Sequence, residues 1–260
     1  MTYGAFILII VLSTCTAALF SYAVHRLVHV DTRKRHQEAS SAVFLQLGVL
    51  VAVLLAFVFN EAYAEYGDAQ QAIDLECGAL HATAMLVSTL PPAEARDLLG
   101  LEADYIRDVI QYDWPEMAAH HRGSPKAVAD LTELVQHAAR LPIASPADIP
   151  VKAQILDLLS TAHAQREVRL YQAQNGLPVV LWIVLIAFSV LLMVFVTFSG
   201  VEDVFWLIMF VVTFATCISA ILCVVSLLNY PFQGALALNP GDFQARLANI
   251  ADILIAVGRP

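Results

Sequence analysis

Four stretches of the sequence, each about twenty residues long, contain no charged side chain. They cover approximately residues 4–24, 42–59, 179–198 and 204–228. About 20 consecutive apolar residues are needed for a helix to cross the hydrocarbon core of a bilayer. The composition agrees with this, since 59% of the residues are hydrophobic and only 14% are charged. The sequence therefore predicts an integral membrane protein with four transmembrane helices.

The acidic residues are concentrated between the second and third apolar stretches. Residues 60–177 contain 17 acidic and 8 basic side chains, so this segment alone carries the whole net charge of −9. We expect an all-α integral membrane protein, with two transmembrane hairpins and an inserted helical-bundle domain outside the membrane. We expect a first hairpin over 1–59 and an acidic helical domain over 60–177. A second hairpin over 178–228 and a C-terminal turn with an amphipathic helix over 229–260 follow.

Apolar side chains recur at helical spacing through the acidic segment, and turn residues separate the repeats. The pattern predicts helices over about 69–90, 92–114, 125–135 and 151–173. Ser124 and Pro125 are a favourable N-cap and first helical residue for the third of these. The last segment, 242–255, is amphipathic and is expected either to lie in the membrane interface or to dock on the acidic domain.

The charge distribution also bears on partners and orientation. We do not expect a nucleic-acid partner, because the chain lacks a basic patch that could neutralise phosphates. The loop over 25–41 is the only basic one and contains Arg26, Arg33, Lys34 and Arg35. The positive-inside rule places this loop in the cytoplasm. The acidic domain is then expected in the periplasm or outside the cell.

Small residues are spaced four apart in two of the apolar stretches. The first stretch has Ser13, Ala17 and Ser21 at this spacing, and the fourth has Ala215, Ser219 and Cys223. Such seams allow two membrane helices to approach each other closely. The spacing alone does not identify the partner helix.

Carboxylates follow the second apolar stretch directly. Glu61, Glu65 and Asp68 are spaced so that they share one face of a continuing helix. Repeated around the axis of an oligomer, they would form acidic rings at a pore mouth that concentrate monovalent cations or bind calcium. The alternative is a solvated helix face just outside the membrane.

Three sequence segments carry a resemblance to a known family. They are Tyr-Asp-Trp-Pro-Glu-Met at 112–117, the Arg-x-x-Arg-Leu motif that leads to Leu-Pro-x-x-Leu-Trp within 166–182, and Leu-Asn-Tyr-Pro-Phe-x-Gly with its continuation to Phe within 228–243. With two preceding membrane helices, they resemble the bacterial bestrophin-like domain family of integral membrane proteins. The family commonly has an acidic residue where this chain has Asn229.

The resemblance implies a location in the bacterial inner membrane and an oligomeric channel, since true bestrophins are pentameric, all-helical anion channels regulated by calcium. Within the motifs, Arg166 and Arg169 are expected to pair with Asp113, Glu116 or another acid of the bundle, or to sense an anion. Pro231 and Phe232 are expected to form the turn that ends the fourth membrane helix, or a gate.

Two functions remain open at this point. The first is a homo-oligomeric ion channel whose pore forms between subunits, lined by the second membrane helix. The second is a non-conducting scaffold or sensor whose helical domain binds a partner or ligand. An enzyme is not expected, because nucleophile motifs, phosphate loops and paired metal ligands are missing from the sequence. No cofactor or metal site is expected.

Overall fold

The computed structural model describes residues 3–35, 37–143, 145–146 and 148–257. Within these ranges the chain forms α-helices, one π-helical turn and short connections, and no strand occurs among them. The helices are α1 Tyr3–Leu27, α2 Val30–Arg35, α3 Gln37–Val87, α4 Pro92–Asp108, α5 Trp114–His120, α6 Pro125–Ala139, α7 Asp148–Gln174, α8 Val179–Thr197, α9 Val204–Leu228 and α10 Gly241–Val257. The π-helical turn, Val109–Asp113, joins α4 to α5.

The chain divides into two compact units. We call the first the apolar unit, Met1–Ala64 with Gly176–Asn229, and the second the acidic unit, Glu65–Asn175 with Tyr230–Pro260. α10 belongs to the acidic unit, and docking on the acidic domain was one of the two alternatives that the sequence left open. α10 is docked there rather than free, since Phe243 and Ile250 belong to the unit's buried core.

Four helices are long and apolar enough to cross a membrane: α1, α3, α8 and α9. Within the apolar unit, α1 packs mainly against α9, and the buried residues of this contact are Ala17, Leu207, Val211 and Ala215. The two small-residue seams meet here. The hydroxyl groups of Ser13 and Ser219 are 2.7 Å apart, which places the helix backbones close together. The arrangement of the four helices as two hairpins stays a prediction.

α3 is a single helix of 51 residues. The sequence suggested a membrane helix ending near Phe59 and a separate helix beginning near Ala69. The helix continues through the connecting residues because they include no proline, and Gly67 is the only glycine among them. At 1.5 Å per residue, α3 is roughly 75 Å long. It ends at Val87, ahead of Pro91 and Pro92, as the sequence predicted.

The acidic unit has one continuous hydrophobic core. α4 packs against α6 and α10, and α6 packs against α7. The predicted start of α6 is confirmed, because the Ser124 hydroxyl accepts a hydrogen bond from the Lys126 amide at 3.2 Å and Pro125 is the first helical residue. Leu98, Leu99 and Ile106 of α4 are completely buried. The helices of this unit are thus held by an apolar interior, although its sequence is strongly acidic.

Candidate functional site

The largest completely buried side chains of the acidic unit include two arginines of α7. Arg169 donates two hydrogen bonds to the Glu76 carboxylate of α3, from Nε to Oε2 at 2.9 Å and from Nη2 to Oε1 at 3.2 Å. The Tyr105 hydroxyl of α4 also donates a hydrogen bond to Glu76 Oε1. All three side chains are fully buried. This paired geometry is the strongest form of an arginine–carboxylate interaction.

The second arginine of α7 binds Asp113, the last residue of the π-helical turn. Arg166 donates from Nε to Asp113 Oδ2 at 3.1 Å and from Nη2 to Oδ1 at 3.0 Å. The backbone amide of Ser124 donates to Asp113 Oδ1 at 2.6 Å. Arg169 Nη2 reaches Asp113 Oδ2 at 3.3 Å, so one carboxylate connects both arginines. We call Glu76, Tyr105, Asp113, Arg166 and Arg169 the buried network.

Aromatic rings cover the guanidinium of Arg169. Its Cζ lies 5.3 Å from the ring centroid of Trp114 and 5.4 Å from that of Phe243. Trp114 packs edge-on against Phe232, with 5.5 Å between the ring centroids. Its indole Nε1 donates to the Leu238 carbonyl at 3.1 Å. The rings exclude water from the buried network and add cation–π attraction to the charged hydrogen bonds.

The electrostatics follow from this enclosure. Burial alone would lower the pKa of Arg169, but the charge and hydrogen bonds of Glu76 outweigh burial and hold that pKa above its ordinary value. Burial, reinforced by the charge of Glu76, raises the pKa of Tyr105 well above its usual range. Two arginines face two carboxylates, so the buried network is neutral overall. It is suited to holding α3, α4, the π-helical turn and α7 together.

The acids proposed for a pore mouth lie along α3. Glu61 and Asp68 are exposed, and Glu65 is half-buried. Their helical spacing places them on neighbouring positions of one face, as the sequence predicted, but a single chain does not bring them together around a cation. Among the described residues, no group of three His, Cys, Asp or Glu side chains could hold a metal ion.

Within the apolar unit, the same helix presents an uncharged face that the rest of the unit leaves open. Gln46, Leu50, Val53 and Phe57 follow one another at helical spacing, and each is exposed. Glu61 continues this face by one more turn. Val51, Leu55 and Val58 form the opposite, buried face of α3. A long helix in this position therefore offers a strip that is apolar in the middle and polar at both ends.

The comparison with protein families matches a Bestrophin-like domain model to residues 11–243. The chain belongs to the bestrophin-like family. Two solved structures of mutant forms of a bacterial bestrophin homologue from Klebsiella pneumoniae have the same fold, with TM-scores of 0.72 and 0.73. Each is 13% identical to this chain and covers 96% of it and 99% of its own length.

A further solved structure, described as a membrane protein, is 14% identical and has a TM-score of 0.74, with 96% of this chain and 99% of that chain covered. No curated protein matches the chain. These similarities establish the bestrophin fold for the whole described chain. They agree with the four membrane-length helices and place this bestrophin-like protein among membrane proteins.

The turn after α9 contains the predicted gate or turn residues. Pro231 and Phe232 are both buried, and the Pro231 carbonyl accepts a hydrogen bond from the Leu238 amide at 2.8 Å. Gly234 has a φ of 86°, which favours glycine and allows the chain to reverse. Since Phe232 packs on Trp114 within the acidic unit, the described contacts favour the turn over the gate.

Arg166 and Arg169 were singled out from the sequence, but only some of the residues that bind them were predicted. Asp113 was among the expected partners, whereas Glu116 instead pairs with Arg122 at 2.8 Å. Glu76 and Tyr105 were missed as members of the buried network. The only sequence signal for Glu76 is a carboxylate on the otherwise apolar, buried face formed by Ile73, Cys77 and Leu80.

Proposed function

We propose that this protein is a homo-oligomeric ion channel of the bestrophin-like family, with a pore formed between subunits. The observation that carries the proposal is the exposed face of α3, from Gln46 to Phe57, in a chain of that family. An open strip along a membrane-length helix needs either lipid or neighbouring copies to cover it. Copies of α3 around an axis would convert the strip into the wall of a pore.

Such a pore would have a hydrophobic centre. Leu50, Val53 and Phe57 would form apolar rings, and hydrophobic constrictions of this kind gate channels by dewetting. The apolar stretches of α1, α3, α8 and α9 contain no ionised residue. A proton-coupled carrier would require one. The uncharged spans thus favour a passive path between subunits.

The outer mouth of the proposed pore is acidic. Glu61, Glu65 and Asp68 would repeat around the axis and give a negative potential, which concentrates cations and repels anions. The ion would be monovalent, or calcium bound by carboxylates of several subunits. Arg166 and Arg169 act in this proposal as structural supports, because their donors are directed to Glu76, Asp113 and Met117.

The experiment is a planar-bilayer recording of the purified protein under a salt gradient. We expect a conductance that favours cations. Replacing Glu61, Glu65 and Asp68 together by Ala should shift the reversal potential towards anion permeation, since the acidic rings are lost. A matched control replaces three exposed acids of the acidic unit, Asp97, Glu133 and Asp157, by Ala. It removes the same charge and should leave the selectivity unchanged.

Two results would contradict the proposal. If the pure protein forms oligomers but conducts no ion, the channel hypothesis is wrong. If the wild type and the triple variant have the same ion selectivity, the hypothesis of an acidic pore mouth is wrong.

The proposal includes a location and an orientation. The protein would lie in the bacterial inner membrane, with the basic residues between α1 and α3 in the cytoplasm. Residues 60–177 would then be periplasmic or extracellular. The support for this orientation is the excess of arginine and lysine in that one segment.

A second function is favoured by the compactness of the acidic unit, which has its own core and its own buried network. Such a unit could bind a partner or ligand in a non-conducting scaffold or sensor. The bilayer recording separates the two functions, because only the channel predicts current from the pure protein.

A further inference from the structure

Arg33 is a buried arginine of the apolar unit that is not paired with an acid. It lies in α2, the short helix between α1 and α3, and only 3% of its surface is exposed. Its Nη1 donates to the Ser199 carbonyl at 3.3 Å, and its Nη2 lies 3.0 Å from His25 Nδ1. Its buried Nε has no hydrogen-bond partner among the residues that the structure describes.

The charge of Arg33 is likewise unbalanced. In the described part of the chain, no carboxylate lies within ion-pair distance of its guanidinium, and the neighbouring Glu202 pairs with Lys34 instead. A buried charge without a counter-ion is strongly unfavourable. Arg166 and Arg169 show how the same chain neutralises guanidinium groups when it supplies the acids itself. A negative group from outside the chain would neutralise this site.

A cavity of about 340 Å³ opens at this side chain. Arg33, Thr32 and Ser40 are among its lining residues, and Val194, Phe195 and Phe198 form apolar walls. A second cavity, of about 360 Å³, shares Ser40 and Phe195 with the first and is bounded by Ser199. The buried hydroxyl of Ser199 also has no partner within the described ranges. Two donors thus remain unused around adjoining apolar cavities.

The depth of these cavities in the membrane identifies the ligand class. α1 ends at Leu27 and α8 ends at Thr197, so Arg33 lies at the level where two membrane-length helices reach the bilayer surface. The same short stretch of sequence also contains Arg26 and Lys34. The lipid phosphates lie at this level, and basic pockets between membrane helices bind anionic headgroups.

We propose that Arg33 binds the phosphate of an anionic membrane lipid, whose acyl chain lies along the apolar walls formed by Val194, Phe195 and Phe198. The Arg33 guanidinium, which borders the first cavity, provides the positive charge and the N–H donors for the phosphate. A free phosphate ion would use the same donors but would leave the apolar walls uncovered. The lipid satisfies both parts of the site.

The test measures thermal unfolding of the purified full-length protein in detergent while phosphatidylglycerol is titrated in. The lipid should raise the Tm of the wild type, and Arg33→Gln should require about tenfold more lipid for half of the shift, the factor expected for one charge-assisted hydrogen bond. Arg35→Gln is the matched control, because it removes the same charge from an exposed position of α2. It should respond like the wild type.

Ser40→Leu provides a second variant, which fills the cavity and leaves every charge in place. Ser40→Leu should weaken the stabilisation by phosphatidylglycerol as Arg33→Gln does. If Arg33→Gln does not fold, Ser40→Leu alone tests the lipid site. Equal responses of Ser40→Leu and the wild type would overturn the proposal.

Separate titrations identify the source of the phosphate. Stabilisation by inorganic phosphate alone, to the extent given by phosphatidylglycerol, would overturn the lipid in favour of a soluble anion. Equal stabilisation by phosphatidylcholine would overturn the requirement for an anionic headgroup.

Discussion

Glu102 occupies the centre of the buried face of α4. Leu98, Leu99, Tyr105 and Ile106 surround it on the same helix at positions three and four residues away, and all four are fully buried. Among the described residues neither carboxyl oxygen of Glu102 has a hydrogen-bond partner. Burial raises the pKa of Glu102 well above its ordinary value of 4.5. Burial therefore favours the neutral form of this side chain in the folded acidic unit.

A pH dependence of stability follows from Glu102. The folded state binds its proton more tightly than the unfolded state, so this stability is complete below about pH 4.5 and decreases as the pH rises towards the folded-state pKa. The decrease is at most about 1.4 kcal/mol per pH unit. Glu102→Gln cannot ionise and should remove it, as measured by thermal unfolding between pH 4.5 and pH 8. The exposed Glu133→Gln is the control and should keep the wild-type dependence.

At the scale of single residues, the sequence predicts the type of partner that a side chain needs better than it predicts which residue is that partner. The prediction that Arg166 and Arg169 pair with acids of the bundle agrees with the structure, because a buried arginine needs a counter-charge. The identity of Glu76 was beyond reach, since 93 residues separate it from Arg169. Only the packing of α3 against α7 brings the two together. The same limit applies to Arg33, which the sequence presented as one of several loop arginines.

The π-helical turn at Val109–Asp113 is the element that positions Asp113 and Trp114. It inserts an extra residue between α4 and α5, and such turns are frequent at functional sites. If the same residues formed a regular α-helix instead, those after the turn would rotate by about 100° relative to α4. Asp113 would then no longer face Arg166. The turn thus connects the apolar face of α4 to the buried network.

Deletion of Gln111 tests the role of this turn. Gln111 is exposed, so its side chain contributes little to packing. The deletion should convert the turn to a regular α-helix and leave Asp113 facing both arginines, because it removes the one extra residue that the turn accommodates; the stability of the acidic unit should fall by no more than about 1 kcal/mol. Gln111→Ala keeps the chain length and should change stability by no more than about 0.5 kcal/mol. Thermal unfolding followed by tryptophan fluorescence compares the two. A loss of several kcal/mol in the deletion variant alone would contradict the idea that the turn acts only by accommodating one extra residue.

The helices themselves were largely predictable. The expected ends of the membrane helices at 179–198 and 204–228 lie within one residue of α8 and α9, because a proline and an acidic turn delimit them. The sequence placed residues 61–68 on a continuing helix but also predicted a separate helix from about residue 69, because polarity changes sharply at Asn60; the full length of α3 was therefore missed. Backbone hydrogen bonding continues across such a change when no residue breaks the helix. The π-helical turn has no sequence signal in this chain.

At the scale of the whole molecule, the proposed pore makes a direct prediction about neighbouring subunits. Phe57 is 71% exposed on the open face of α3, and Val179 is 72% exposed on α8. In a background without the four native cysteines, Phe57→Cys should form disulfide-linked dimers in the membrane under mild oxidation. Val179→Cys, equally exposed, should remain monomeric on a denaturing gel. Cross-linking through Val179→Cys alone would place the axis of the oligomer elsewhere.

The order of residues in the buried network has a consequence for biosynthesis. Glu76 and Asp113 are translated before α7, which brings both of their counter-ions, Arg166 and Arg169. While α7 is still inside the ribosome, the nascent chain would have to bury two carboxylates without their counter-ions. The free-energy cost of this is comparable with the net stability of a domain. The acidic unit therefore completes its folding late, only after the ribosome has translated α7 and then α10, which follows the fourth membrane segment. Chains truncated ahead of Arg166 remain open and accessible to proteases.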